Sequence, residues 1–125
     1  MTPTYGARVL EHFRRPRNHG TLDAPTVSRE AYNPLCGDRV RVELAIAART
    51  ITGAAFTSNA CAICTASASL LTERLLGMSV ADALAIGDDE VVASLQSDVP
   101  QARRACATLP LLAVRQGLAE LGDRA

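Results

Sequence analysis

The chain has no tryptophan and no lysine, and aromatic residues make up only 3% of it. With few large aromatic side chains, the core has to be built from Ala, Leu, Val and Ile. Hydrophobic residues make up 48% of the chain, a share that suits a globular protein and argues against disorder. The absence of lysine excludes Schiff-base chemistry and a P-loop lysine together; all 13 basic residues are arginine. A formal net charge of +0 leaves no overall field to draw the chain to nucleic acid or to an anionic membrane. No apolar run reaches transmembrane length, and Met1-Thr2-Pro3-Thr4-Tyr5-Gly6 has no apolar stretch of the secretory kind. The expectation is therefore a cytoplasmic protein with a single domain over residues 1–125. In that reducing compartment its four cysteines read as metal-binding or reactive thiols sooner than as disulfides.

Periodicity predicts the elements. Thr4 is placed to cap a first helix with Val9, Leu10 and Phe13 on one face, ended by Pro16 and Asn18-His19-Gly20. An edge strand is expected at Thr26–Tyr32. The clearest strand is Arg39–Ala47, where Val40, Val42, Leu44 and Ile46 alternate with Arg39, Arg41 and Glu43. Ile51–Ser58 is its hairpin partner, with Gly53 as a bulge candidate. From Cys61 the period becomes helical: Ile63, Ala66, Leu70, Leu71 and Leu75 form a stripe that Gly77 ends. Ser79 caps a short helix, and Asp88–Leu95 forms another. A last helix starting near Cys106 or Thr108 buries Leu111, Val114, Leu118 and Leu121, with Pro110 admissible only in its first turn. Strands grouped before helices predict an α+β fold, a three-stranded antiparallel sheet with an N-terminal helix and a C-terminal group of helices packed on it.

The chemistry sits with the cysteines. Cys36 lies in a turn before the best strand, Cys61 where strand gives way to helix, and Cys106 near the start of the last helix. Three thiolates and one further ligand satisfy tetrahedral zinc, and Asp38, two residues past Cys36, is the available fourth. A carboxylate is the harder and more exchangeable donor, so such a site suits exchange better than pure structural support. Free N–H groups at a helix start, together with Arg103 and Arg104, are expected to favour a Cys106 thiolate. Cys61-Ala62-Ile63-Cys64 also fits a dithiol oxidoreductase, but the βαβ context is missing and Cys36 and Cys106 would have no role. Cys64 alone reads as a small core residue. His12 and His19 are expected on the surface. Arg14, Arg15 and Arg17 form a solvated face, with a partner-docking patch as the alternative.

Four segments carry a resemblance that runs nearly end to end. Tyr5…Leu10-Glu11-His12-Phe13…Pro16-Arg17-Asn18-His19-Gly20 opens it, and Asn33-Pro34-Leu35-Cys36-Gly37-Asp38 is its most specific motif. Cys61 followed by Ala66-Ser67-Ala68-Ser69 and then Arg104-Ala105-Cys106-Ala107-Thr108-Leu109 complete it. The chain resembles the iron–sulfur cluster assembly proteins of the IscU/SufU group, the fold of the NifU N-terminal domain. That resemblance implies that Cys36, Asp38, Cys61 and Cys106 hold zinc, or iron in a nascent 2Fe–2S cluster. It implies a PLP-dependent cysteine desulfurase as partner, with Cys36 or Cys106 accepting persulfide sulfur and Arg103 or Arg104 supporting charge or docking. Downstream scaffold or apo-acceptor proteins would receive the product.

Ala105 stands where IscU-type members have histidine, and Asp98-Val99-Pro100-Gln101 does not resemble their chaperone motif, which favours SufU-type sulfur transfer. The 45 positions from Cys61 to Cys106 are close to the IscU spacing, so a scaffold assembling a 2Fe–2S cluster is the alternative. Ala60 replaces the family's glycine and would be strained if that position needs a positive φ. Cys64 lies one helical turn past Cys61, within reach to replace Asp38 as a ligand or to resolve a persulfide.

Overall fold

A computed structural model describes residues 5–122; the expected cap at Thr4 lies outside them. Strand β1 (Val27–Asn33), β2 (Asp38–Ala47) and β3 (Thr50–Asn59) form an antiparallel sheet in the order β1-β2-β3. Helix α1 (Ala7–Arg14) precedes the sheet. Helices α2 (Ala62–Leu75), α3 (Val80–Leu84), α4 (Asp88–Ser94) and α5 (Arg104–Leu121) follow it. The sheet with an N-terminal helix and a C-terminal helical group is the architecture expected from the sequence.

Alternation explains the sheet. Val40, Val42, Leu44 and Ile46 are buried on one face of β2, where α5 packs, while Arg39 is exposed on the other. The two-residue turn between β2 and β3 holds Ala48 at φ 50° and Arg49 at φ 60°, both left-handed, the twist that a tight hairpin needs. The bulge falls beside Gly53: Ala45 pairs with Gly53 and Ile46 with Ile51, leaving Thr52 unpaired. The core is aliphatic as composition required, with Phe56 its largest fully buried side chain.

From Ile63 to Thr72 helix α2 is buried on every side, not along one stripe alone, and Glu73 and Arg74 of its last turn are exposed. Its Thr65, Ser67, Ser69 and Thr72 are as buried as its leucines, because α1, α4, α5 and β3 all pack on it. Each hydroxyl is satisfied: Thr65 meets Ser58 at 3.2 Å, Ser67 donates to the Ala107 carbonyl at 2.5 Å, and Thr72 donates to the Ala68 carbonyl at 2.9 Å.

Where α5 crosses β1, a Cβ added at Gly117 would come within 2.4 Å of Val27 Cγ1. Gly117→Val is therefore expected to destabilise the fold by about 2 kcal/mol through overpacking. The check is a lower denaturant midpoint at unchanged slope.

Three expectations need correction. Phe13 is 44% exposed and His12 is buried, so α1 turns a different face inward. The reason is a polar partner: His12 Nδ1 lies 2.7 Å from Ser69 Oγ, which also accepts the Arg17 N–H at 2.8 Å. Desolvation lowers the His12 pKa, Arg17 adds to this, and Glu73 partly opposes it. The unfolded chain therefore takes up this proton first. His12 contributes stability that is fully present above about pH 6.5 and is lost as pH falls through its lower folded value. A His12→Gln variant should show a flatter stability profile below about pH 6.5 than the parent chain, measured by thermal melts across that range.

The third correction concerns Pro110. α5 begins at Arg104, after a single 3-10 turn at Gln101–Arg103, so Pro110 lies in the second turn and not the first. It has no N–H for the Cys106 carbonyl four residues earlier. Burial of Leu109, Pro110 and Leu111, the Ser67 bond to Ala107, and a Thr108 hydroxyl bond to the Arg104 carbonyl at 3.2 Å offset that loss.

Candidate metal centre

The β1–β2 turn, the first residue of β2, the start of α2 and the first turn of α5 meet at one end of the sheet. The turn is shaped by Asn33, whose side chain accepts the Leu35 N–H at 3.0 Å and whose carbonyl accepts the Gly37 N–H at 2.8 Å. Gly37 at φ +77° completes it, a conformation that a Cβ would strain. This tight loop leaves Leu35 94% exposed and Cys36 exposed beside it. The chain then enters β2, and alternation puts Asp38 on the inner face, 6% exposed. Cys106 comes from the first turn of α5 and is buried, with its Sγ 3.3 Å from that of Cys36.

One ligand atom each of Cys36, Asp38 and Cys106 lies within 4.8 Å of the others. Zinc–sulfur bonds of about 2.3 Å in a tetrahedron separate sulfurs by about 3.8 Å, so these three groups fit one ion. Cys61 caps α2 with extended backbone and donates its N–H to Asp38 Oδ1 at 3.3 Å. Its thiol borders the cluster but stands outside the 4.8 Å group. Ala60 does not adopt a positive φ, so the strain considered for it does not arise. Cys64, three residues on, is fully buried.

Electrostatics favour a cation here. Asp38 Oδ2 is buried and has no hydrogen-bond partner among the described residues, a state that costs free energy unless a cation or donor meets it. Burial pushes the Cys106 thiol well up, and the Cys36 thiol and the Asp38 carboxylate beside it add to that. The expected thiolate bias from the helix start is thus overturned by desolvation. Cys64 is also pushed up, by burial first and the Asp38 charge second. A bound cation reverses the balance, because ligand thiols lose their protons to it.

Arg103 is exposed and hydrogen-bonds toward Cys106, which raises its own pKa. Arg104 instead pairs with Asp89 on α4. Arg103 also lines an open groove of about 570 Å³ with Asn33, Leu35, Cys36, Ala102 and Ala105. A second groove of about 250 Å³ runs alongside, lined among others by Tyr32, Pro34, Leu109 and Leu112. This apolar rim was not singled out from the sequence; the signal available was a leucine between proline and cysteine in a turn, where nothing can cover it. His19 is exposed and stacks edge-on against Phe56. Arg17 pairs with Glu11 at 2.9 Å, while Arg14 and Arg15 are exposed. Among the described residues no helix is long and apolar enough to cross a membrane.

This chain is similar to several known proteins. The family described as NifU-like N terminal domain matches residues 4–125. The zinc-dependent sulfurtransferase SufU of Bacillus subtilis is 31% identical, over 93% of this chain and 90% of that protein. The iron–sulfur cluster assembly scaffold protein IscU of Streptococcus pyogenes is 38% identical over 67% of this chain and 52% of its own length. Two curated relatives are longer, the chain spanning about a quarter of one and about half of the other. The crystal structure of a nitrogen-fixing NifU-like protein (N-terminal) from Brucella abortus superposes with a TM-score of 0.78 at 23% identity, over 96% of this chain and 95% of that one; that likeness speaks for the fold.

Proposed function

The chain belongs to the NifU-like N-terminal domain family, and from that premise we propose that it accepts sulfur from a PLP-dependent cysteine desulfurase for iron–sulfur cluster assembly, at a centre of Cys36, Asp38, Cys61 and Cys106. The observation that carries this reading is the buried, unpartnered Asp38 oxygen beside two thiols that lie 3.3 Å apart. The reading follows the SufU type, and zinc is the metal these residues would hold. Zinc when bound would keep its thiol ligands deprotonated and shielded from oxidation.

The residues divide the work. Cys36, exposed at the tip of its turn, is the thiol a donor can reach. Its thiolate attacks the outer sulfur of the donor's cysteine persulfide; the donor's S–S bond breaks, a new one forms on Cys36, and the donor cysteine leaves as thiolate. Cys106, next to it, is the second acceptor. Arg103 at the groove offsets the negative charge that a persulfide adds, and Leu35 with the apolar rim gives the donor's surface a place to dry against. The sulfur then passes to scaffold or apo-acceptor proteins.

Incubating the full chain with a cysteine desulfurase and cysteine, followed by intact-mass and peptide analysis, tests this. Sulfur added first to Cys36 or Cys106 is expected at early times, with the position-36 adduct lost in Cys36→Ser; a parent chain that neither gains sulfur nor yields sulfide would end the reading.

A second reading is a scaffold that assembles a 2Fe–2S cluster and passes it on. It is favoured by the match to a protein named as an IscU scaffold and by donors that suit iron as well as zinc. Anaerobic addition of iron and sulfide separates the two: a stable chromophore transferable to an apo-ferredoxin supports the scaffold, and zinc that iron cannot displace supports sulfur transfer.

A further inference from the structure

One thiol at this end of the molecule has no part in the centre just described. Cys64 is fully buried in the first turn of α2, while Cys61 is the residue that caps the same helix and is only partly buried. Residues at the cap and at the third helical position stand on one face of the helix start, at the close approach of neighbours three apart. A cysteine pair at this spacing on a helix start is the arrangement that C-x-x-C motifs oxidise to a disulfide. An accessible cap thiol followed by an occluded one is the arrangement in which C-x-x-C pairs carry out exchange, because the second thiol reacts only with what the first has captured. A separate observation marks the helix start as a polar, reactive place and not a hydrophobic plug. The Asp38 carboxylate is 6% exposed, is held there by the Cys61 N–H at 3.3 Å, and leaves its second oxygen unpartnered.

We infer that Cys61 and Cys64 form a dithiol that converts captured sulfane sulfur into free sulfide, with Cys64 as the internal reductant. The inference rests on the sulfur-accepting reading. A persulfide on Cys36 exchanges with the Cys61 thiolate, so that Cys36 leaves as thiolate and the S–SH group now sits on Cys61. The Cys64 sulfur attacks the inner sulfur, Cys61 Sγ. The bond between Cys61 Sγ and the sulfane sulfur breaks, a Cys61–Cys64 disulfide forms, and the sulfane sulfur departs as hydrogen sulfide carrying the proton that Cys64 gives up. Cys64 is oxidised from thiol to disulfide level and the departing sulfur is reduced to sulfide, so the single turnover balances with no outside electrons. An external dithiol reductant then restores the pair for the next cycle. Burial of Cys64 keeps bulk thiols and oxidants from consuming its electrons before a persulfide arrives.

The test loads the purified full chain by two routes, inorganic polysulfide in one and a cysteine desulfurase with cysteine in the other. Excess reagent is removed, and sulfide released without added thiol is measured beside the disulfide map. The parent chain is expected to release its loaded sulfur as sulfide and to carry a Cys61–Cys64 disulfide. Cys64→Ala and Cys64→Ser, both checked for unchanged circular dichroism, are expected to keep the persulfide and release sulfide at least about tenfold more slowly. Undiminished release in both variants, or a disulfide mapped to Cys36 and Cys106, overturns the inference. Cys64-dependent release after polysulfide alone, with no loading by the desulfurase, supports this inference while defeating the desulfurase reading.

Discussion

Cys36→Ser, Cys61→Ser and Cys106→Ser are each expected to weaken zinc binding about a hundredfold. The size follows from ligand number: a structural zinc site is worth about 10–16 kcal/mol, so each of four donors accounts for roughly 3 kcal/mol. Competition against a chromophoric chelator reads the change directly. The three variants do not test the same thing. Cys36 and Cys106 already sit with Asp38 within 4.8 Å, and their loss removes part of an assembled cluster. Cys61 must bring its thiol in from the border, so its variant asks whether the fourth position is filled from α2. Cys64→Ala is the companion measurement. Unchanged affinity there assigns the α2 ligand to Cys61, whereas a hundredfold loss at Cys64 with none at Cys61 would hand the position to the buried thiol.

Asp38→Asn is expected to move two properties in opposite directions. The carboxylate is almost wholly buried and one of its oxygens has no partner. An uncompensated buried charge destabilises, so replacing it with a neutral amide of the same shape should raise the stability of the metal-free chain by about 1–2 kcal/mol. The amide oxygen keeps the bond from the Cys61 N–H, so the start of α2 is not disturbed. In zinc the order reverses, since a neutral donor gives up most of the attraction to the cation; affinity is expected to fall about tenfold or more. Thermal melts with zinc and with a chelator show both effects on one sample. A variant less stable than the parent chain in chelator would mean that this oxygen has a partner the argument lacks.

What could be read from the sequence is what short-range periodicity encodes. Val40, Val42, Leu44 and Ile46 alternate with charged residues and place β2 to within a residue of its observed start. Ser79 was expected as a cap and accepts the Asp82 N–H at 3.0 Å. Misplaced features depend on partners distant in sequence. His12 looks like a surface residue until Ser69, 57 positions away, supplies a hydroxyl. Pro110 looks inadmissible inside a helix until its burial, with Leu109 and Leu111, against elements distant in sequence offsets the bond it cannot make. The same limit applies at the candidate centre. Spacing can say that Cys36 and Asp38 share an end of β2, but the distance by which Cys61 stands apart is set by how α2 packs against five elements at once.

The misplaced proline gives α5 two unequal parts. Pro110 withholds the N–H that the Cys106 carbonyl would accept, so the ligand-bearing start of the helix lacks one main-chain bond, while the Ser67 and Thr108 hydroxyls bond the Ala107 and Arg104 carbonyls beside it. Helices bend where their ladder is interrupted, so an ion of larger radius held by Cys106 would be taken up there before the sheet or α2 moved.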